Sequence, residues 1–360
     1  MKNKEPLILA VVVFFSLATY YLVEPYAHHI LHKDVESKGF VYDGSDDILE
    51  VENIISGLQK TKLEKELEYK DASADEKQKL KTAIITSEND IAIQKVRLEK
   101  KQTFFSDVAR IAKIKGDAVT GEAIFATCSG CHNDAGIVMG TIPPSLDNAG
   151  VYYTKNYLIG IIKDPVMISN VDHKFSVENE HPMASVKYMV SSDEDIANVV
   201  AYMQKIAISP EKVTPKMAYE NTCGRCHSVV YEKWTQLGTT EKFKHKKDTL
   251  AAEIKVLEYE DSLKVYMGKL PPDLSMYIRS RGEHFISTFI ENPQSQLEGT
   301  SMPRVGVTAD TADKVVEYLK NAGDTKRHER EEIGRNVMIY IVIFALFAFL
   351  WKREIWKDLH

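Results

Sequence analysis

Cys128, Cys131 and His132 stand in one pentapeptide, Cys-Ser-Gly-Cys-His, and Cys223, Cys226 and His227 stand in another, Cys-Gly-Arg-Cys-His. The chain has four cysteines, and all of them are in these two motifs. Cys-x-x-Cys-His is the attachment signature of c-type haem. Two thiols three positions apart each add to one vinyl group of the same porphyrin, and the histidine beside the second thiol is then held under the iron as an axial ligand. A thiol redox pair does not need the trailing histidine, and a zinc ribbon would need its four cysteines in one site. Two matches with no cysteine left over make two covalently bound haem c groups the expectation.

The 360 residues leave room for two or three small domains. The net charge of −6 gives no reason to expect a nucleic-acid partner. Both ends are apolar. Residues 7–23 carry no charge and follow Lys2 and Lys4. They run longer than the apolar part of a typical signal peptide, and no small-x-small cleavage site follows, so they read as an uncleaved anchor. Residues 337–351 are a second uncharged run, which Ile333, Gly334 and Asn336 extend toward the ~20 residues a bilayer requires. Arg335 then sits at the interface, and Trp351, Lys352 and Arg353 mark the far end. Lys2, Lys4, Lys352, Arg353 and Lys357 place both termini in the cytoplasm. Lys326, Arg327, Arg330 and Arg335 oppose this from the outer side, but bacteria attach haem c outside the cytoplasmic membrane. The haem-bearing middle of the chain is therefore expected in the periplasm, tethered to the inner membrane.

Between the spans, periodicity separates the parts. Residues 26–47 read as a connector, with solvated His28, His29 and His32. Residues 48–115 are helical: Ile48, Val51, Ile54, Ile55 and Leu58 recur at three and four. A candidate capping box, Ser73 with Glu76, breaks the stretch into an antiparallel hairpin. No proline occurs in it, and no glycine between Gly57 and Gly116. Two repeats follow. The first, 116–208, opens with Thr120 as a possible cap. It continues through its Cys-x-x-Cys-His to Pro143-Pro144, an amphipathic stretch ending at Asp164-Pro165, then His181-Pro182-Met183, and a last helix over 193–206. The second, 209–324, opens on Thr214-Pro215, a cap and a first-turn proline. It repeats the order through Pro271-Pro272, Asn292-Pro293 and Ser301-Met302-Pro303 to a last helix around Val315 and Tyr318. The motif cysteines are 95 apart but the proline pairs 128 apart, so the second repeat carries about 33 extra residues, a helical-looking insertion at 232–269. The C-terminal span is placed at 333–352.

His132 and His227 are the expected proximal ligands. Met302 is the sixth-ligand candidate of the second repeat, and Met183 holds the equivalent place in the first, with Met189 and His181 as rivals. A thioether ligand raises the reduction potential relative to two histidines. The Pro-Pro segments are expected to cover the proximal face, where a proline carbonyl accepts the histidine's ring N–H. Arg279, Arg281 and Arg304 are candidates for haem propionates and equally for plain surface arginines. Irons bound on both faces have no open position for substrate, which favours electron transfer over bond-making chemistry. No basic patch, nucleotide motif or Ser/His/Asp set is present.

The repeated order of Cys-x-x-Cys-His, Pro-Pro-x-Leu and a methionine before the last helix resembles class I cytochrome c domains in tandem, over about 116–323. The N-terminal span running into Tyr21-Leu22-Val23-Glu24-Pro25-Tyr26-Ala27-His28-His29, with two c domains and a C-terminal span, resembles the dihaem cytochrome c1 subunit of cytochrome bc1 complexes from epsilonproteobacteria. That resemblance implies a mainly α fold with two tandem c domains between two transmembrane helices; the helical hairpin insertion at 48–115 and the insertion at 232–269 do not map onto the c-domain pattern. It implies a cytochrome b subunit and a Rieske iron–sulfur protein as partners in a dimeric complex. A soluble or membrane cytochrome c would be the electron acceptor. Two other readings remain: a dihaem subunit of a cbb3-type oxidase, which the C-terminal span disfavours, and a dihaem peroxidase-like enzyme, which needs one displaceable sixth ligand.

Overall fold

The computed structural model describes residues 4–23, 26, 36–132, 143–176, 180–190, 192–241 and 243–357. His28, His29 and His32, Glu24 and Pro25 of the N-terminal stretch, and Ile142 before the first proline pair lie outside them. The chain is mainly helical. It divides into two compact units, each assembled from three separate stretches: 1–114, 154–191 and 287–306 in the first, and 115–153, 192–286 and 307–360 in the second. Each sequence repeat contributes to both.

In the first unit, helices Ser45–Asp71 and Ala74–Ala112 pack against each other as a hairpin. Gly44 starts the first with φ 85°, a left-handed bend, and a side chain there would collide with the ring of Phe105. Asp46 and Asp47 fill the first turn, where the helix dipole favours negative charge. Ala72 is extended, and Ser73 donates from its amide (3.1 Å) and its hydroxyl (2.7 Å) to Glu76, so the second helix starts where the capping box predicts. Val51 and Ile55 from one helix and Phe104, Phe105, Val108 and Ile111 from the other are buried. Each such side chain removed from water contributes about 1.5–3 kcal/mol. Lys62 bridges to Glu88 across the hairpin at 2.8 Å. Helix Lys155–Lys163 packs on the second arm helix, with Leu158, Ile159 and Ile162 buried, and Lys163 reaches Asp107 at 2.9 Å.

The second unit is built on two helix pairs. Ala118–Cys128 packs against Asp193–Ile206. Asp117 caps the first of these by accepting from the amides of Val119 and Thr120. Thr120, expected as the cap, instead donates its hydroxyl to Asp117 at 2.6 Å. A carboxylate accepts two amides at once, which a single hydroxyl does less well. At the crossing, Gly121 lies under the Asn198 carbonyl, and Phe125 meets Tyr202 with ring centroids 5.1 Å apart. Pro215–Thr222 packs against Ala309–Gly323 in the same way. Thr214 accepts from the Met217 amide, Pro215 occupies the first turn, and Tyr219 stacks on Tyr318 at 4.7 Å. The insertion is not helical throughout: Trp234–Thr235 and Gly238–Thr239 form a short antiparallel hairpin before helix Lys246–Met267. Thr235 and Thr239 favour the extended backbone, and Gly238 adopts φ 115°, which a helix does not tolerate.

The last helix, Arg327–Ile355, is long and apolar enough to cross a bilayer, and none of its apolar window is covered by the chain's own residues. At the other end, helix Lys4–Ala18 continues into one wide turn, Thr19–Val23, and the apolar stretch Leu7–Val23 is shorter than the ~20 residues of a full span. Gly121→Val puts methyl groups into the Asn198 carbonyl. The expected loss is about 1–3 kcal/mol, read as a lowered midpoint in thermal unfolding of the haem-loaded protein.

Candidate haem-binding site

Both pentapeptides fold into the same turn. Helix Ala118–Cys128 ends on the first cysteine, and the amides of Cys131 and His132 then donate to the Cys128 carbonyl at 3.1 and 2.9 Å. After Pro215–Thr222, the amides of Cys226 and His227 donate to the Cys223 carbonyl at 3.1 and 3.0 Å. None of the four cysteines is in a disulfide. Burial raises the Cys128 thiol and pushes that of Cys223 up to about 11.

The expected bond from histidine to proline is present at both motifs: His132 Nδ1 lies 2.8 Å from the Pro144 carbonyl, and His227 Nδ1 lies 2.8 Å from the Pro272 carbonyl. A carbonyl only accepts, so Nδ1 carries the proton in each ring and Nε2 keeps its lone pair. Burial holds both imidazoles below the usual histidine value, against the opposing pull of the proline carbonyl, so both are neutral at neutral pH. A neutral ring fixed by one nitrogen and offering the other is what a metal ligand requires.

The second motif is held from further sides, which the sequence did not reveal. Tyr219 donates to the His227 carbonyl at 2.8 Å, Trp234 Nε1 to the Gly224 carbonyl at 3.0 Å, and Tyr259 to the Arg225 carbonyl at 3.0 Å. Tyr259, Leu263 and Met267 of the insertion helix form a buried cluster against which Cys226 packs. Their spacing of four was visible as one helix face, but not what it faced. Asp273, within Pro-Pro-Asp-Leu, accepts from the Ser228 hydroxyl (2.9 Å) and from the amides of Val230 (2.9 Å) and Ser275 (3.0 Å). Burial pushes its carboxyl up, but these hydrogen bonds outweigh that and hold it below the usual carboxylate range.

Met183 and Met302 belong to the first unit and are both half-buried. His181 Nδ1 accepts the Met183 amide at 3.1 Å, its ring meets Phe175 edge-on at 4.9 Å, and burial lowers its pKa to about 4. Met189 is 58 % exposed. Arg279 and Arg281 are exposed, and Arg281 stacks on the Phe285 ring at 5.4 Å. Arg304 is no surface arginine: it is buried, with both terminal nitrogens on Asp47. Its Nε has no hydrogen-bond partner among the described residues.

Two thiols on one turn, followed by a neutral imidazole with a free Nε2, fit covalently bound haem c. Residues 118–207 match the cytochrome c family model, and they constitute a cytochrome c domain, a class that implies haem c. Two comparisons extend beyond it. The chain is 22 % identical over 200 residues to cytochrome c1 of Allochromatium vinosum, covering 39 % of this chain and 82 % of that protein. A solved structure described as "Hyperthermophilic respiratory Complex III" aligns over 42 % of this chain and 76 % of its own, at 22 % identity and a TM-score of 0.32.

Asp273→Ala leaves three donors without their acceptor, at an expected cost of about 1–3 kcal/mol. The folded carboxyl titrates below its unfolded value, so this contribution is complete above about pH 4 and disappears as pH falls through the folded pKa. In urea denaturation, the gap between wild type and variant is expected to be wide at about pH 7 and to narrow as acid protonates the folded carboxyl.

Proposed function

We propose that this chain is a membrane-anchored dihaem c-type cytochrome, the cytochrome c1 subunit of a quinol–cytochrome c reductase. The observation that carries the reading is the duplicated site: two Cys-x-x-Cys-His turns with matching backbone bonds, each with its histidine tied to a proline carbonyl at 2.8 Å. The helices also recur in the same order in both repeats, which supports two tandem c domains at 116–208 and 209–324. The likeness to cytochrome c1 supports the particular complex.

In this reading Cys128 and Cys131 bind one haem covalently and Cys223 and Cys226 the other. His132 and His227 are the proximal ligands, and Met183 and Met302 the sixth. Each haem supplies a one-electron iron couple. The chain's part is to bind, orient and shield. Pro144 and Pro272 fix the ligand histidines, and the bond from Nδ1 makes each ring a stronger donor at Nε2. The exposure of Met189, and the use of His181 Nδ1 on the Met183 amide, favour Met183 over its two rivals. No substrate-converting site is assigned to the chain. Electrons arrive from a Rieske protein beside a cytochrome b subunit, within a dimeric complex, and leave to a periplasmic or membrane cytochrome c. Helix Arg327–Ile355 supports inner-membrane anchoring, with the haem domains on the periplasmic side.

Intact-mass analysis of the mature protein is expected to find two covalently attached haems, and a single one overturns the dihaem reading. Met302→His is expected to lower the potential of one haem and leave the other in place. A redox titration identical to wild type removes Met302 as a ligand. Purification from native membrane is expected to yield cytochrome b and Rieske subunits alongside. Oxidase subunits without a Rieske protein would replace the reductase reading with the oxidase one.

A further inference from the structure

We propose that Asp47, at the start of the helical arm, is the positioning residue for Met302, and that bracing the segment carrying this ligand is what the arm is for. The inference rests on the reading of Met302 as the sixth ligand of the second haem.

Asp47 is 2 % exposed. Its two oxygens take both terminal nitrogens of Arg304, at 2.7 and 2.9 Å. Lys101, 1 % exposed and on the other arm helix, approaches the same carboxylate at 3.3 Å and reaches Asn170 Oδ1 at 3.0 Å. Both helices of the hairpin thus converge on the Asp47 carboxylate, which in turn holds Arg304. That arginine stands two residues after Met302, with Pro303 between them. The proline ring fixes φ, so little torsional freedom separates the clamped residue from the ligand.

Arg304 is held at its backbone as well as at the tip of its side chain. Its amide donates to the Ser169 carbonyl at 2.9 Å, its carbonyl accepts the Tyr157 hydroxyl at 3.1 Å, and its guanidinium lies 5.9 Å from the centre of the Tyr42 ring. On the other side of Met302, Gln294 holds the Thr300 carbonyl at 2.6 Å and the Gly299 amide at 3.0 Å. The Met302 amide makes only a long bond of 3.4 Å to the Thr300 hydroxyl. The methionine's backbone is therefore placed mainly by its neighbours, and on the Arg304 side the arm supplies a charged, bidentate restraint.

A buried ion pair is a poor device for stability alone, because apolar side chains of equal volume do that as well or better. What the planar fork of arginine on a carboxylate adds is direction, two parallel bonds that fix an orientation. Arg97 and Asp172 supply a comparison within the same unit. They also tie the arm to the chain, at 2.9 Å, but are about a third exposed and far in sequence from Met302.

The test uses the full-length, haem-loaded protein in detergent, with three readouts: the near-infrared methionine-to-iron absorption of the oxidised form, the potentials of both haems, and the intact mass. Asp47→Asn and Arg304→Lys each keep much of the volume and lose the fork. Each is expected to retain two haems, lose about half of the methionine band and lower one potential while the other stays. Asp47→Glu is expected to restore the band at least in part, and Asp172→Asn to leave it intact. Met302→His separates the two readings. If it shifts one potential while Asp47→Asn and Arg304→Lys leave band and potentials as in wild type, Met302 is the ligand and the positioning role is wrong. If Met302→His changes nothing, the ligand reading falls and this inference with it. Should Asp47→Asn fail to accumulate, Arg304→Lys alone decides, because an unchanged band there excludes a positioning role for the fork.

Discussion

The hydrogen bond from each motif histidine to a proline carbonyl is the constraint on which the rest of the molecule depends. It sets the tautomer, fixes the ring, and leaves one nitrogen free in a neutral imidazole, half-buried in His132 and buried in His227. To make it, the chain must return a Pro-Pro segment to the turn from which the histidine projects. In the first repeat that takes 12 residues, and in the second 45, because the insertion intervenes. The same bond closes two loops of very different length, so the geometry of the site, not the length of the connection, is what the two repeats share.

The loops differ in how they are held. Ser145, in the first Pro-Pro-Ser-Leu, donates to Asp147 nearby. Asp273 occupies the matching position of the second and reaches back to Ser228 and Val230 beside the motif. Trp234 and Tyr259, both inside the insertion, add bonds to the carbonyls of Gly224 and Arg225, and Leu263 and Met267 complete an apolar cover against Cys226. The extra residues thus act as packing for a longer loop that would otherwise lack it.

How much of this was legible in the sequence followed the range of the forces involved. The break at Ser73 with Glu76, the Thr214-Pro215 start and the helix over 193–206 were readable, because caps and periodicity act within one or two turns. Asp117 displaced Thr120 as a cap because two local acceptors competed and the better one won. The opening hairpin of the insertion was hidden by the surrounding lysines, which suggested helix throughout. The fork between Asp47 and Arg304 spans 257 positions, and no local pattern points to it. Arg304 looked like any arginine near a candidate ligand, and only burial showed where its charge is compensated.

The helix Arg327–Ile355 leaves Val337, Ile341, Phe344, Phe347 and Leu350 all about half exposed or more. A stripe of that kind in water collects whatever apolar surface is nearest, other copies of itself included. Outside a lipid or detergent phase, the oligomers such a chain forms would report on this one helix and say nothing of how its haem-bearing parts associate.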